Sequence, residues 1–172
     1  MITSVEMTLG NKLADRHFVF NSPAAFLAFG FGSGLSPKMP GTMGTIVAIP
    51  LYLLYSGYSL WVDAAVIVIG IVMGVWLCSE ASRQLGVHDH SGIVWDEFVG
   101  FWITMFAVPS SGLYILIGFV LFRFFDILKP WPICWFDKHV HGGVGIMVDD
   151  VLAGVAAACC MQLIVYSGLL AA

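Results

Sequence analysis

Two adjacent carboxylates, Asp149 and Asp150, follow a glycine-rich stretch, Gly142 to Val148, and open the apolar run Val151 to Leu170. A carboxylate at the start of an apolar helix long enough for a membrane is expensive to bury, so it is a functional candidate by default. A second pair, Asp96 and Glu97, repeats the layout. It opens the apolar run that begins at Phe98, and a small residue follows within a turn, Gly100 here and Gly154 there. The small residue lets another helix approach closely. In a third cluster, Arg123, Asp126 and Lys129 are spaced by three, which predicts one stripe of a helix. Pro130 then stops that helix. A fourth stretch, Gly30 to Gly44, holds Ser33, Gly34, Lys38 and Thr42 among closely spaced glycines and prolines. Its backbone N–H groups are suited to a phosphate.

Together these residues suggest one chemistry. Carboxylate oxygens suit Mg²⁺, which keeps several waters and binds substrate phosphate. Acids alone repel a phosphate dianion, so a cation is required, and Arg123, Lys129 and Lys38 neutralise the remaining charge. The expected catalytic set is Asp96, Glu97, Asp126, Asp149 and Asp150. Asp96, Glu97, Asp149 and Asp150 are the expected metal ligands. Lys38, Arg123, Lys129, Ser33, Gly34 and Thr42 are the expected substrate contacts. The reaction is metal-assisted hydrolysis of a phosphomonoester: the ion activates water and clamps the phosphoryl group, and a carboxylate accepts the proton. Plainer readings stand beside this one. A single Asp is an ordinary helix cap, the 123–126–129 stripe is an interfacial ion ladder, and a Gly-Pro loop is a turn. His88 and His90, two apart, suit a solvated extended segment.

The elements that must position these groups are membrane helices. Of the 172 residues, 59% are hydrophobic and only 10% charged, where a soluble domain carries about 25% charged residues. An integral membrane protein is expected, with residues 1–21 as a polar arm and 22–172 as one membrane-embedded domain. The fold class is all-α: a polytopic bundle of four to five spans, five preferred, with short or re-entrant helices. The apolar runs are Thr45 to Tyr55, Leu60 to Cys78, Phe98 to Val108, Leu113 to Phe125 and Val151 to Leu170. Several of these fall short of the roughly 20 residues a full span needs, Thr45 to Tyr55 and Phe98 to Val108 most of all. If all five cross, the seven Lys and Arg and the five His fall on one side. The positive-inside rule makes that side cytoplasmic. Trp131 and Trp135 suit the headgroup level there. The four cysteines read as packing residues. The net charge of −4, without a basic run, argues against nucleic acid. Gly70, Gly74 and Gly154 suit helix packing within or between chains, so an oligomer is open.

Other phosphatase chemistries lack their residues. No C-x5-R follows Cys78 or Cys134, no D-x-D nucleophile motif occurs, and neither the alcohol phosphotransferase nor the histidine lipid phosphatase pattern is present. A cation or proton carrier would need acids at mid-bilayer depth, whereas these sit at helix mouths. A purely structural role would leave the acids as caps.

Four blocks carry a family resemblance: Gly32 to Pro37 with Pro40 to Gly44; Val94-Trp95-Asp96-Glu97-Phe98-Val99-Gly100; Phe124 to Pro132; and Gly145 to Gly154. In content and order they resemble the phosphatidylglycerophosphatase A family. That resemblance implies a bacterial inner-membrane, Mg²⁺-dependent enzyme whose partners are the lipid bilayer and the phospholipid phosphatidylglycerophosphate. It would convert that lipid to phosphatidylglycerol, the step before cardiolipin, at a cytoplasm-facing site.

Overall fold

The computed structural model describes residues 14–87 and 90–168, and every regular element among them is helical. Residues 1–13 of the expected arm, including Lys12, and His88 lie outside the described residues. Two short helices lead in. α1 (Arg16–Asn21) is capped by Asp15, whose Oδ1 accepts from Phe18 N at 2.8 Å. α2 (Pro23–Ala28) is capped by Ser22 and has proline at its first position. A 3-10 turn (Gly30–Leu35) follows, and then α3 (Pro40–Tyr55).

α4 (Leu60–Leu85) runs 26 residues and ends on Gly86 in the left-handed region. α5 (Trp95–Thr104) is only ten residues long, α6 (Gly112–Leu128) has 17, α7 (Ile133–His139) is a short turn of helix, and α8 (Gly142–Ser167) has 26. α8 packs on α4, α5, α6 and α7, while α5 also packs on α3 and α4. Phe98, Val99 and Phe101 of α5 are wholly buried, so this short helix is the centre of the core.

α4 and α8 are long and apolar enough to cross a membrane. The outer face of α4 is bare and apolar at Val68, Val72 and Trp76, as a lipid-facing helix requires. The expectation of four to five spans, some short or re-entrant, is met in part: all regular elements among the described residues are helical, and two of them are long enough to cross. The run expected from Phe98 to Val108 forms a helix of about 15 Å, half the roughly 30 Å hydrocarbon thickness. Its chain continues as non-helical backbone, which is tolerated at depth only where protein satisfies its polar groups. Gln162 Nε2 donates to the carbonyls of Phe106 and Ala107, and Tyr52 Oη donates to that of Val108.

The expected helix start at Asp149 moves back two turns, because α8 begins at Gly142. Gly143 and Gly145 there serve close packing, while Gly142 takes a left-handed φ of 74°. A Cβ on Gly143 would lie 2.2 Å from the Val75 carbonyl, and one on Gly145 2.3 Å from that of Val140. Gly70, Gly74 and Gly154 are likewise spent inside the chain, against Trp102, Met147 with Trp95, and Gly100.

Candidate active site

The first turn of α5 carries Asp96 and Glu97, and α8 brings Asp150 beside them. Single carboxylate oxygens of the three lie within 4.8 Å of one another. They line a cavity of about 460 Å³ with Arg123, Asp126, Lys129 and Asp149. Asp96 Oδ1 accepts from the Glu97 N–H at 3.1 Å, which ties the pair together. The acids that sequence spacing singled out on three separate helices therefore share one cavity.

Asp149 and Asp150 take different partners. Successive helical residues point about 100° apart, and eight residues into α8 the helix is regular. Asp150 joins Asp96 and Glu97, while Asp149 Oδ2 accepts from Lys129 Nζ at 2.5 Å. Neither is a cap of α8.

The basic residues also depart from a single stripe. Arg123 Nη1 lies 2.6 Å from Asp126 Oδ2 and 3.8 Å from Glu97 Oε1, and all three side chains are largely buried. Lys129 is not on the helix. α6 stops at Leu128 and Lys129 takes a left-handed conformation, φ 40°, because Pro130 has no N–H to continue the ladder. The turn sends its ammonium to Asp137 Oδ1, at 2.6 Å, and to Asp149. Burial by itself pulls the Lys129 ammonium down, but the hydrogen bonds to Asp137 and Asp149 prevail and hold it above its ordinary range.

From the glycine stretch, Gly41 and Thr42 line the cavity. Ser33 and Gly34 are placed elsewhere. Ser33 Oγ donates to the Phe29 carbonyl, and Gly34 lies against the Gly92 carbonyl beside a neighbouring cavity of about 380 Å³. Lys38 is exposed and lines neither cavity. His90 Nδ1 accepts from the Gly92 N–H. Asp137, Met39, Ile127 and Ile146 are site residues that spacing did not mark. Asp137 meets Lys129 across the turn after α6, and no periodicity links them.

Among the described residues, the buried carboxylate oxygens Glu97 Oε2 and Asp150 Oδ2 in this cavity have no hydrogen-bond partner. Orphaned acceptors in an all-carboxylate set fit a hard divalent cation. Asp96, Glu97 and Asp150 could hold one. The arrangement thus combines an acid cluster for a cation with a guanidinium and an ammonium for an anion, the needs of phosphoryl transfer.

A family model described as phosphatidylglycerophosphatase A matches residues 26–165. The chain is 49% identical over 147 residues to the phosphatidylglycerophosphatase A of Escherichia coli (strain K12), covering 85% of this chain and 86% of that protein. It is 46% identical over 138 residues to the Haemophilus influenzae protein of the same name, covering 79% and 85%. A Bacteroides thetaiotaomicron protein provisionally named phosphatidylinositol-3-phosphatase is 43% identical over 134 residues, covering 73% and 83%. No solved structure matches.

Proposed function

The chain belongs to the phosphatidylglycerophosphatase A family and is a phosphatase, and from that premise we propose that it hydrolyses the terminal phosphomonoester of phosphatidylglycerophosphate. The products are phosphatidylglycerol and inorganic phosphate, and the site faces the cytoplasm from a bacterial inner membrane. The observation that carries this reading is the convergence of Asp96, Glu97 and Asp150 beside Arg123 and Lys129 in one cavity.

Asp96, Glu97 and Asp150 would hold Mg²⁺. When bound, the ion supplies an activated water and neutralises charge on the phosphoryl oxygens. Asp126 fixes the Arg123 guanidinium at the cavity wall, where it pairs with phosphoryl oxygens. Asp149 and Asp137 hold the Lys129 ammonium between them, and it binds the same group from the other side. A carboxylate of the set accepts the proton of the attacking water. The water oxygen bonds to phosphorus as the bond from phosphorus to the glycerol oxygen breaks, and the proton taken up by the carboxylate passes to that leaving oxygen.

The bilayer passages follow from the helices. α4 and α8 cross fully. α3 and α6 cross at 16 and 17 residues, with the bilayer thinning to match. α5 covers half the thickness and residues 105–111 the rest. The acids of the cavity then lie toward the cytoplasmic end, where Trp131 and Trp135 are exposed at headgroup level.

The test is phosphate release by the purified protein from phosphatidylglycerophosphate in mixed micelles, with Mg²⁺ and with chelator. Phosphatidylinositol-3-phosphate is the comparison substrate. Release is expected only with Mg²⁺, and Asp96→Asn and Asp150→Asn should each lose about 100-fold or more while remaining folded. Full activity in both variants removes these acids from the chemistry, and activity untouched by chelator removes the metal.

A further inference from the structure

The acid cavity is bounded on one side by bare apolar side chains. Met39, just ahead of α3, is 63% exposed, and Ile127, in the last turn of α6, is 62% exposed, yet both line the cavity that holds Asp96, Glu97 and Asp150. Exposed apolar residues continue away from it along each helix: Met43 and Ile46 on α3, and Phe124 and Val120 on α6. Steps of three and four keep each set on one helix face. The two helices come together at Gly41, where an added methyl would lie 3.2 Å from Arg123 Nη1. Cations therefore stand at the inner end, and an apolar track leads from them along the outer surface of α3 and α6.

A water-soluble phosphate ester has no use for such a track, whereas an anionic headgroup carrying acyl chains matches it at both ends. Resting on the phosphatase reading above, we propose that the α3–α6 cleft is a lateral portal for a diacyl phosphomonoester lipid. The phosphate is drawn to Arg123 and Lys129 while the acyl chains lie on the Met39–Met43 and Phe124–Ile127 faces. The larger apolar groove between α4 and α8, near Ile67, Val155 and Leu163, has no acid or basic residue in its lining. It offers the phosphate nothing.

Two measurements test the portal. In the first, the wild-type protein in phosphatidylcholine nanodiscs with chelator is photo-crosslinked to phosphatidylglycerophosphate carrying a diazirine in one acyl chain. Phosphatidylcholine with the same diazirine serves as reference. Severalfold enrichment over the reference is expected at residues 39–46 and 120–128. Enrichment at the α4–α8 groove, or none at α3 and α6, overturns the proposal. In the second, Met39→Trp and Ile127→Trp narrow the entrance. The ratio of kcat/KM for a dioleoyl lipid to that for a short-chain soluble analogue should fall about tenfold, through KM. Val72→Trp, on the bare face of α4, should leave the ratio unchanged. An unchanged ratio in both entrance variants overturns the portal. If the wild-type protein hydrolyses neither substrate, the phosphatase reading fails, and the crosslinking map still decides the portal.

Discussion

Gly41→Ala probes the carboxylate cluster through a residue with no reactive group. A methyl at Gly41 would lie 2.0 Å from Glu97 Oε1, where ordinary contact begins at 3.4 Å. The carboxylate must therefore retreat by roughly 1 Å or more, and displacements of that size at a reacting centre cost about 100-fold in rate. That corresponds to about 2.7 kcal/mol of transition-state stabilisation. Helix stability pulls the other way, because alanine favours a helix over glycine by up to about 1 kcal/mol. The expected variant is folded and slow. The assay is kcat/KM for phosphatidylglycerophosphate across a Mg²⁺ titration, with thermal unfolding in the same detergent. More Mg²⁺ should be needed for half-maximal rate, since Glu97 is one of the three proposed ligands. Adding Glu97→Asp shortens the displaced side chain and should return part of the activity. Wild-type kcat/KM and an unchanged Mg²⁺ requirement in Gly41→Ala would refute the placement of Glu97 at the ion.

Lys129→Met should lower kcat/KM by about 10- to 100-fold, the worth of a charge-assisted hydrogen bond, with Lys129→Arg recovering part; equal activity of all three proteins would remove Lys129 from phosphate binding. Because Asp137 and Asp149 hold that ammonium above its ordinary range, its pairing is complete below that range and is lost only as pH rises past it. The alkaline limb of the wild-type pH–rate profile should therefore lie above the ordinary lysine range if it reports Lys129 at all. Gly154→Ala puts a methyl 2.5 Å from the Gly100 carbonyl and should lower stability by about 1–3 kcal/mol through overpacking, read as a lowered midpoint in thermal unfolding. Gln162→Leu strips the donor from the Phe106 and Ala107 carbonyls, at a cost of about 0.5–1.5 kcal/mol, and the same unfolding assay checks it.

Several parts of the site were legible because they follow from local rules. Asp96 and Glu97 open α5 where the charge pattern put them, in a first turn whose dipole favours acids. Pro130 ends α6 as proline must. The rest depended on what packs against what. Gly142 to Gly145 look like a loop by composition, but they open α8, and at Gly143 and Gly145 neighbouring backbone comes too close for a side chain. With the helix extended back, Asp149 and Asp150 lose their place at its mouth and acquire separate tasks. The pairing of Lys129 with Asp137 and Asp149 arises from a left-handed turn that three-residue spacing does not foresee. Ser33, Gly34 and Lys38 share a motif with Gly41 and Thr42, but the 3-10 turn and the bend before Pro40 separate them from the cavity.

The convergence of the acids rests on how a half-length helix is held. Carboxylates brought within 4.8 Å repel, and α5 would relieve that by sliding if nothing fixed it. Its anchors are two indoles. Trp95 Nε1 donates to the Gly70 carbonyl on α4 at 3.0 Å, and Trp102 Nε1 donates to the Ala48 carbonyl on α3 at 3.2 Å. Both rings are buried, so a lost acceptor leaves an unpaired donor worth about 1–3 kcal/mol. Thr104 Oγ1 adds a bond to the Gly154 carbonyl on α8, which ties the far end of α5 to the helix that carries Asp150. Beyond that same end, Gln162 and Tyr52 satisfy the carbonyls of Phe106, Ala107 and Val108 that follow α5. A slide of one residue breaks these bonds together. The same contacts that let a ten-residue helix exist inside the bundle therefore fix Asp96 and Glu97 against Asp150, and the position of the acid cluster is a property of α3, α4 and α8 as much as of the acids themselves.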